Sequence, residues 1–102
     1  MPNINELITE IDAFRDARQW HQYHNAKDLS LSLSLEAAEL LECFQWQSSE
    51  AAVENNLADI KDELADVMIY ALTLASTLNL DVEAIIKAKI KKNAEKYPTP
   101  TK

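Results

Sequence analysis

Apolar residues recur along the start of this chain at helical spacing: Ile4, Leu7, Ile8, Ile11 and Phe14 fall three or four apart, with charged and amide residues between them. An amphipathic helix over about residues 3–18 is predicted, and Asn3 with Glu6 resembles a capping box at its start. The period breaks over 19–28, QWHQYHNAKD, where two aromatics, two histidines and several amides crowd together. That is an odd composition for a plain linker, and the stretch reads as a functional loop.

Residues 29–35 alternate leucine with serine, which taken locally is a strand pattern. No second strand-like run exists to pair with it, a lone strand leaves its backbone groups unsatisfied, and the continuation EAAELLECFQW is rich in helix formers. A helix over about 30–46 is predicted instead. It is apolar on more than one face, as befits a core helix or one at a subunit interface. Ser48 and Ser49 mark a break, 50–56 reads as a short helical turn or loop, and 57–78 as a long helix with Leu57, Ile60, Leu64, Val67, Met68, Ala71, Leu74 and Ala75 on its apolar side. Asp81 is a candidate N-cap for a last helix reaching about residue 96, before Pro98 and Pro100 end it. Four helices with short connections predict an all-α, four-helix-bundle-like fold: one domain over 1–98 and a tail at 99–102.

Composition narrows the chemistry. The 102 residues contain no glycine, which excludes phosphate-cradling loops of the Walker or Rossmann kind. A net charge of −7 argues against binding polymeric nucleic acid. Residues 1–66 hold 14 acids and 4 bases, against 3 acids and 6 bases in 67–102, so an acidic body carries a basic tail. No uncharged apolar stretch is long enough to span a bilayer, so no membrane association is expected. A single cysteine, Cys43, and the lack of a charged segment followed by an apolar core at the start give a cytoplasmic location as the expectation.

Within the acidic body, Glu36 and Glu39 lie three apart on one predicted helix, and Glu63 and Asp66 three apart on another. Each pair projects from one helix face, and two facing helices would gather four carboxylates. Bare, they repel and raise one another's pKa values; a hard divalent cation relieves that cost and takes oxygen ligands, which points to Mg²⁺, with Mn²⁺ as a substitute. Either pair alone is no more than a solvated helix face, and Glu42, Asp59 and Asp62 are read that way. A di-iron bundle site needs Glu-x-x-His pairs, and neither His21 nor His24 lies three residues after a glutamate.

The combination of EAAE at 36–39, FQW at 44–46, DELADVMIY at 62–70 and KYP at 96–98 resembles the MazG-like all-alpha nucleotide pyrophosphohydrolases, and within them the dCTP pyrophosphatase branch. The likeness covers about residues 4–98. It implies that Glu36, Glu39, Glu63 and Asp66 are Mg²⁺ ligands and catalytic residues, and that a (deoxy)nucleoside triphosphate, dCTP or a related dNTP, is cleaved to the monophosphate and pyrophosphate. Trp20 and His24 resemble the loop that holds the nucleoside in such relatives, and Trp46 and Tyr70 match aromatic substrate contacts. Lys89 and Asn93, on the basic side of the last helix, are candidate phosphate contacts. The family's dimers and tetramers imply a homo-oligomer, a tetramer being favoured, with sites near subunit interfaces and a house-cleaning role. Ile11 stands where dCTP-branch relatives carry a histidine, which bears on base choice. Two other readings stay open: a non-catalytic helical oligomerisation module, and a related pyrophosphohydrolase acting on another nucleotide such as phosphoribosyl-ATP.

Overall fold

The computed structural model describes residues 3–100; Thr101 and Lys102 of the predicted tail lie outside the described residues, as do Met1, Pro2 and the side chain of His21. Four α-helices follow one another, α1 (Ile4–Ala17), α2 (Ala26–Glu42), α3 (Ser49–Thr77) and α4 (Val82–Lys96), with a 3-10 turn at Trp20–Tyr23 and no strand among the described residues. Each helix starts on a polar cap: Asn3, Asn25, Ser48 and Asp81 accept the backbone N–H of Glu6, Asp28, Ala51 and Ala84.

Three boundaries differ from the sequence reading. The loop predicted over 19–28 is shorter, because residues 20–23 wind into the 3-10 turn and α2, capped by Asn25, starts at Ala26, four residues before the predicted start at 30. At its other end α2 stops at Glu42, so Phe44, Gln45 and Trp46 lie in the connection and not in the helix. The segments 50–56 and 57–78 are one helix, kinked where Asn56 leaves helical geometry (φ −122°, ψ 22°). At the kink the Asn56 side-chain amide donates to the Cys43 carbonyl at 2.9 Å and ties the α2–α3 connection to α3.

The leucine–serine alternation is helical, as expected. Leu29 is buried and Leu33 half-buried, while Leu31 and Leu35 are 55% and 65% exposed, so a period of two in the sequence becomes two faces in a helix. Ser30 and Ser34 hydroxyls donate back to the carbonyls of Lys27 and Ser30, so they need no outside partner.

Helices α2 and α3 form the main packed pair and run antiparallel, since Cys43 meets Asn56 while Glu36 and Glu39 meet Glu63 further along. Helix α1 lies on α3, fastened by a Ser76 hydroxyl that donates to Asp12 at 2.7 Å. Helix α4 turns away from α3 at 104° and touches α1, and Val82 at its start is buried. No single helix among the described residues is long and apolar enough to cross a membrane.

The protomer is open. Its radius of gyration is 16.6 Å, against about 13 Å for a compact domain of this length. Only Leu29, Ala52, Ala75, Val82, Arg15 and Thr73 are buried among the described residues. Leu7, Ile11 and Phe14 of α1 with Ala65, Met68, Ile69 and Leu72 of α3 line an open apolar trough of about 460 Å³.

Candidate metal and nucleotide site

Glu36 and Glu39 leave α2 one turn apart, and Glu63 faces them from α3, so that one carboxylate oxygen from each lies within 4.8 Å of the other two. The antiparallel α2–α3 pair thus places acids 24 or more residues apart in sequence against one another. Asp66, half-buried one turn beyond Glu63, stands outside this tight group, yet its charge acts on both Glu36 and Glu63. The four predicted acids are therefore gathered as three plus one.

Burial, followed by the Glu39 carboxylate and then the charges of Asp66 and Glu63, pushes the Glu36 carboxyl up to about 7 from an ordinary 4.5. The Glu63 carboxyl is raised as well, again by desolvation first and then by Glu39. Oε2 of Glu36 and Oε2 of Glu63 are buried with no hydrogen-bond partner. Two orphaned acceptors beside a third carboxylate are the donor set a hard divalent cation takes, and burying them without one is costly. Beside this cluster opens a cleft of about 480 Å³ lined by Glu39, Glu42, Cys43, Asn56, Asp59 and Glu63. Glu42 and Asp59, read from sequence as solvent-facing, are exposed as expected and also line the cleft. Their spacing was a usable signal: Glu42 follows Glu39 by three, and Asp59 precedes Glu63 by four.

The aromatic candidates fall into two places. The Trp20 ring stands edge-on to Phe14 at 5.5 Å and to His24 at 6.5 Å, so this cluster is built on α1 and the 3-10 turn. Trp46 sits alone at the α2–α3 connection, 98% exposed, with its backbone in the left-handed region at φ 65°. A bulky residue there is strained, and strain of this kind collects at functional positions. Tyr70, half-buried, follows Asp66 by one turn of α3.

Lys89 and Asn93 are not drawn to the carboxylates within one chain. Both are exposed on α4, and no lysine figures among the charges acting on Glu36 or Glu63. Sequence reasoning also missed Arg15, the one buried charged residue among the described residues, whose position on α1 resembles any polar helix site.

An all-α pair of helices bearing a clustered set of acids that could hold a divalent cation defines the class of fold and site, and comparison with known proteins gives it a family. Residues 31–102 match the MazG-like family, and the chain belongs to it. It is 34% identical to dCTP pyrophosphatase 1 of Rattus norvegicus and 32% identical to that of Homo sapiens, each over 103 residues and 96% of this chain. The chain spans 59% of the length of those relatives. Among solved structures, a pyrophosphatase from Archaeoglobus fulgidus superposes with a TM-score of 0.89 at 39% identity, covering 97% of this chain and 95% of that one.

Proposed function

We propose that this protein is a nucleoside triphosphate pyrophosphohydrolase that uses Mg²⁺, and for which Mn²⁺ substitutes, to release a nucleoside monophosphate and pyrophosphate. The observation that carries the reading is the cluster of Glu36, Glu39 and Glu63 oxygens within 4.8 Å, two of these residues holding buried, unpartnered acceptors. The relatives named dCTP pyrophosphatase support dCTP as the first substrate to test.

Glu36, Glu39, Glu63 and Asp66 would hold the ion, which when bound supplies charge neutralisation and Lewis acidity at the triphosphate. The carboxylates must be ionised to ligate, and Glu36, pushed up to about 7, makes that step sensitive to pH near neutrality, with Glu63 raised in the same direction. The ring of Trp20, 43% exposed, offers a face on which a base stacks, with His24 beside it, while Tyr70 lies between Asp66 and the far end of α3.

Trp46, Lys89 and Asn93 project from the protomer, so their part in the site is through assembly: a neighbouring copy brings them to the nucleotide. The open shape and the apolar trough support a homo-oligomer, with a tetramer as our reading. A substrate drawn from the soluble nucleotide pool fits a cytoplasmic site of action and a house-cleaning role.

The test is pyrophosphate release from a panel of canonical and modified triphosphates and phosphoribosyl-ATP, with Mg²⁺, for wild type and Glu39→Gln. Turnover of dCTP or a related dNTP that is lost in the variant, with helicity and assembly retained, is expected. No release from any nucleotide would sink the enzyme reading and leave the oligomerisation module.

A further inference from the structure

Arg15 is 3% exposed in a protomer that buries only five other residues among those described. Spending such a position on a guanidinium is unfavourable for stability alone, since an apolar side chain of similar volume is usually as good or better. The burial is also imperfect, because Nε has no partner.

What the guanidinium does is span elements. One nitrogen donates to Asp12 at 3.2 Å, a turn back on α1, and the other donates to Nδ1 of His24 at 3.1 Å, ahead of α2. The second Asp12 oxygen accepts the Ser76 hydroxyl from the end of α3 at 2.7 Å. Ser76, Asp12, Arg15 and His24 therefore form one polar relay across three elements. Arginine has only donors, so Nδ1 must accept, and the imidazole is held in the tautomer that carries its proton on Nε2.

The relay ends on the aromatic cluster. The His24 ring meets Trp20 edge-on, Trp20 meets Phe14 edge-on, and the Arg18 guanidinium lies 3.6 Å from the Phe14 ring centre. Trp20 is thus held between two rings, one fixed on α1 and the other fixed through Arg15.

We propose that Arg15 is a positioning residue for nucleotide binding: it orients His24, and through it Trp20, so that the base-stacking face is preorganised. This rests on the reading that Trp20 contacts the nucleoside. A preformed platform binds more tightly because less freedom is lost on association, so the effect belongs to KM and leaves kcat nearly unchanged.

The experiment compares Arg15→Lys, Ser76→Ala and Trp20→Ala in full-length protein with Mg²⁺ and dCTP. Lysine keeps a charge beside Asp12 but lacks the fork that reaches two partners. Arg15→Lys is expected to raise KM about tenfold, the factor one lost hydrogen bond to a charged group represents, with kcat within about twofold. Ser76→Ala, further from the nucleotide and gentler on the fold, is expected to raise KM about threefold. On a Trp46→Phe background, Arg15→Lys should also make Trp20 fluorescence more readily quenched by acrylamide. If Trp20→Ala raises KM but neither Arg15→Lys nor Ser76→Ala does, or if these variants lower kcat alone, positioning is refuted while the nucleoside site stands. Should Trp20→Ala leave KM unchanged, the nucleoside-site reading fails and this proposal with it.

Discussion

Replacing Glu39 by Gln removes the charge that both Glu36 and Glu63 face. With ligand oxygens no more than 4.8 Å apart, Coulomb repulsion between ionised Glu36 and Glu39 comes to about 3 kcal/mol at an effective dielectric of about 20. Glu39 is exposed, and water screens the pair, so about 1 kcal/mol is the share that survives. For a chain of this size that corresponds to about 5 °C in Tm. Without metal at pH 8, Glu39→Gln is therefore expected to melt higher than wild type by about that amount.

The pH dependence follows from Glu36. Its folded pKa of about 7 exceeds the ordinary 4.5, so between those values the folded protein holds more protons than the unfolded one. The stabilisation is fully present below pH 4.5 and lost as pH rises through about 7. Metal-free wild type should melt lower at pH 8 than at pH 5, and the variant should flatten that fall. Mg²⁺ reverses the order: at about a hundred times its Kd it stabilises wild type by about 2.7 kcal/mol, more at pH 8 than at pH 5, whereas the variant, a ligand short, gains much less. Differential scanning fluorimetry with EDTA and with Mg²⁺ at the two pH values checks all four corners. A variant that melts lower than wild type without metal at pH 8, or gains as much from Mg²⁺, would refute the metal assignment of Glu39.

Two further outcomes follow from packing. Leu29, 1% exposed, is one of the few wholly buried side chains, so Leu29→Ala should cost about 2–5 kcal/mol in urea unfolding, and a loss under 1 kcal/mol would show the site collapses or is wet. Ile69→Asp places a charge in the α1–α3 trough, where the side chain is 41% exposed in the protomer; under the proposed assembly sedimentation should show a smaller species than wild type, and an unchanged mass would refute the trough as a subunit interface.

The helices were legible because their signals are local. Capping residues, the 3.6 period and proline stops mark α1 and α4 to within a residue or two, and the leucine–serine stretch was read as helical from its continuation. The boundary errors share a cause: Asn25 capping α2, Asn56 bonding Cys43 across the connection, and the tightened turn at 43–46 are side-chain choices that periodicity does not encode. Within the candidate site, three-residue steps marked four acids as sharing helix faces without separating them from a solvated surface, and the family resemblance singled them out; the fold draws three of them, Glu36, Glu39 and Glu63, into one tight group. Arg15 was not, because a charge in a helix reads as solvent-facing until tertiary packing covers it. Lys89, Asn93 and Trp46 are exposed in the protomer, and under the assembly we propose their surroundings would come from neighbouring copies, which no pattern within one chain describes.

The absence of glycine gives a last test that separates turn-making from function. Among the described residues three take left-handed backbone, Gln19 at φ 56°, Trp46 at φ 65° and Asn79 at φ 56°. Asn79 ends α3 in a full Schellman turn, its N–H donating to Ser76 and that of Leu80 to Ala75, and asparagine tolerates the geometry better than most residues. Trp46 has neither that tolerance nor burial to compensate, being 98% exposed. If both positions only made turns, glycine would improve each by about 1 kcal/mol at no cost to catalysis. Asn79→Gly is expected to do that, raising stability by a few tenths to about 1 kcal/mol with KM and kcat unchanged. Trp46→Gly is expected to relieve the same strain yet raise KM for dCTP about tenfold, the stacking of one base on one indole being worth about 1–3 kcal/mol. Steady-state kinetics and urea unfolding on the two variants decide the matter: a Trp46→Gly protein with wild-type KM would mean the tryptophan is a strained turn residue and not a substrate contact.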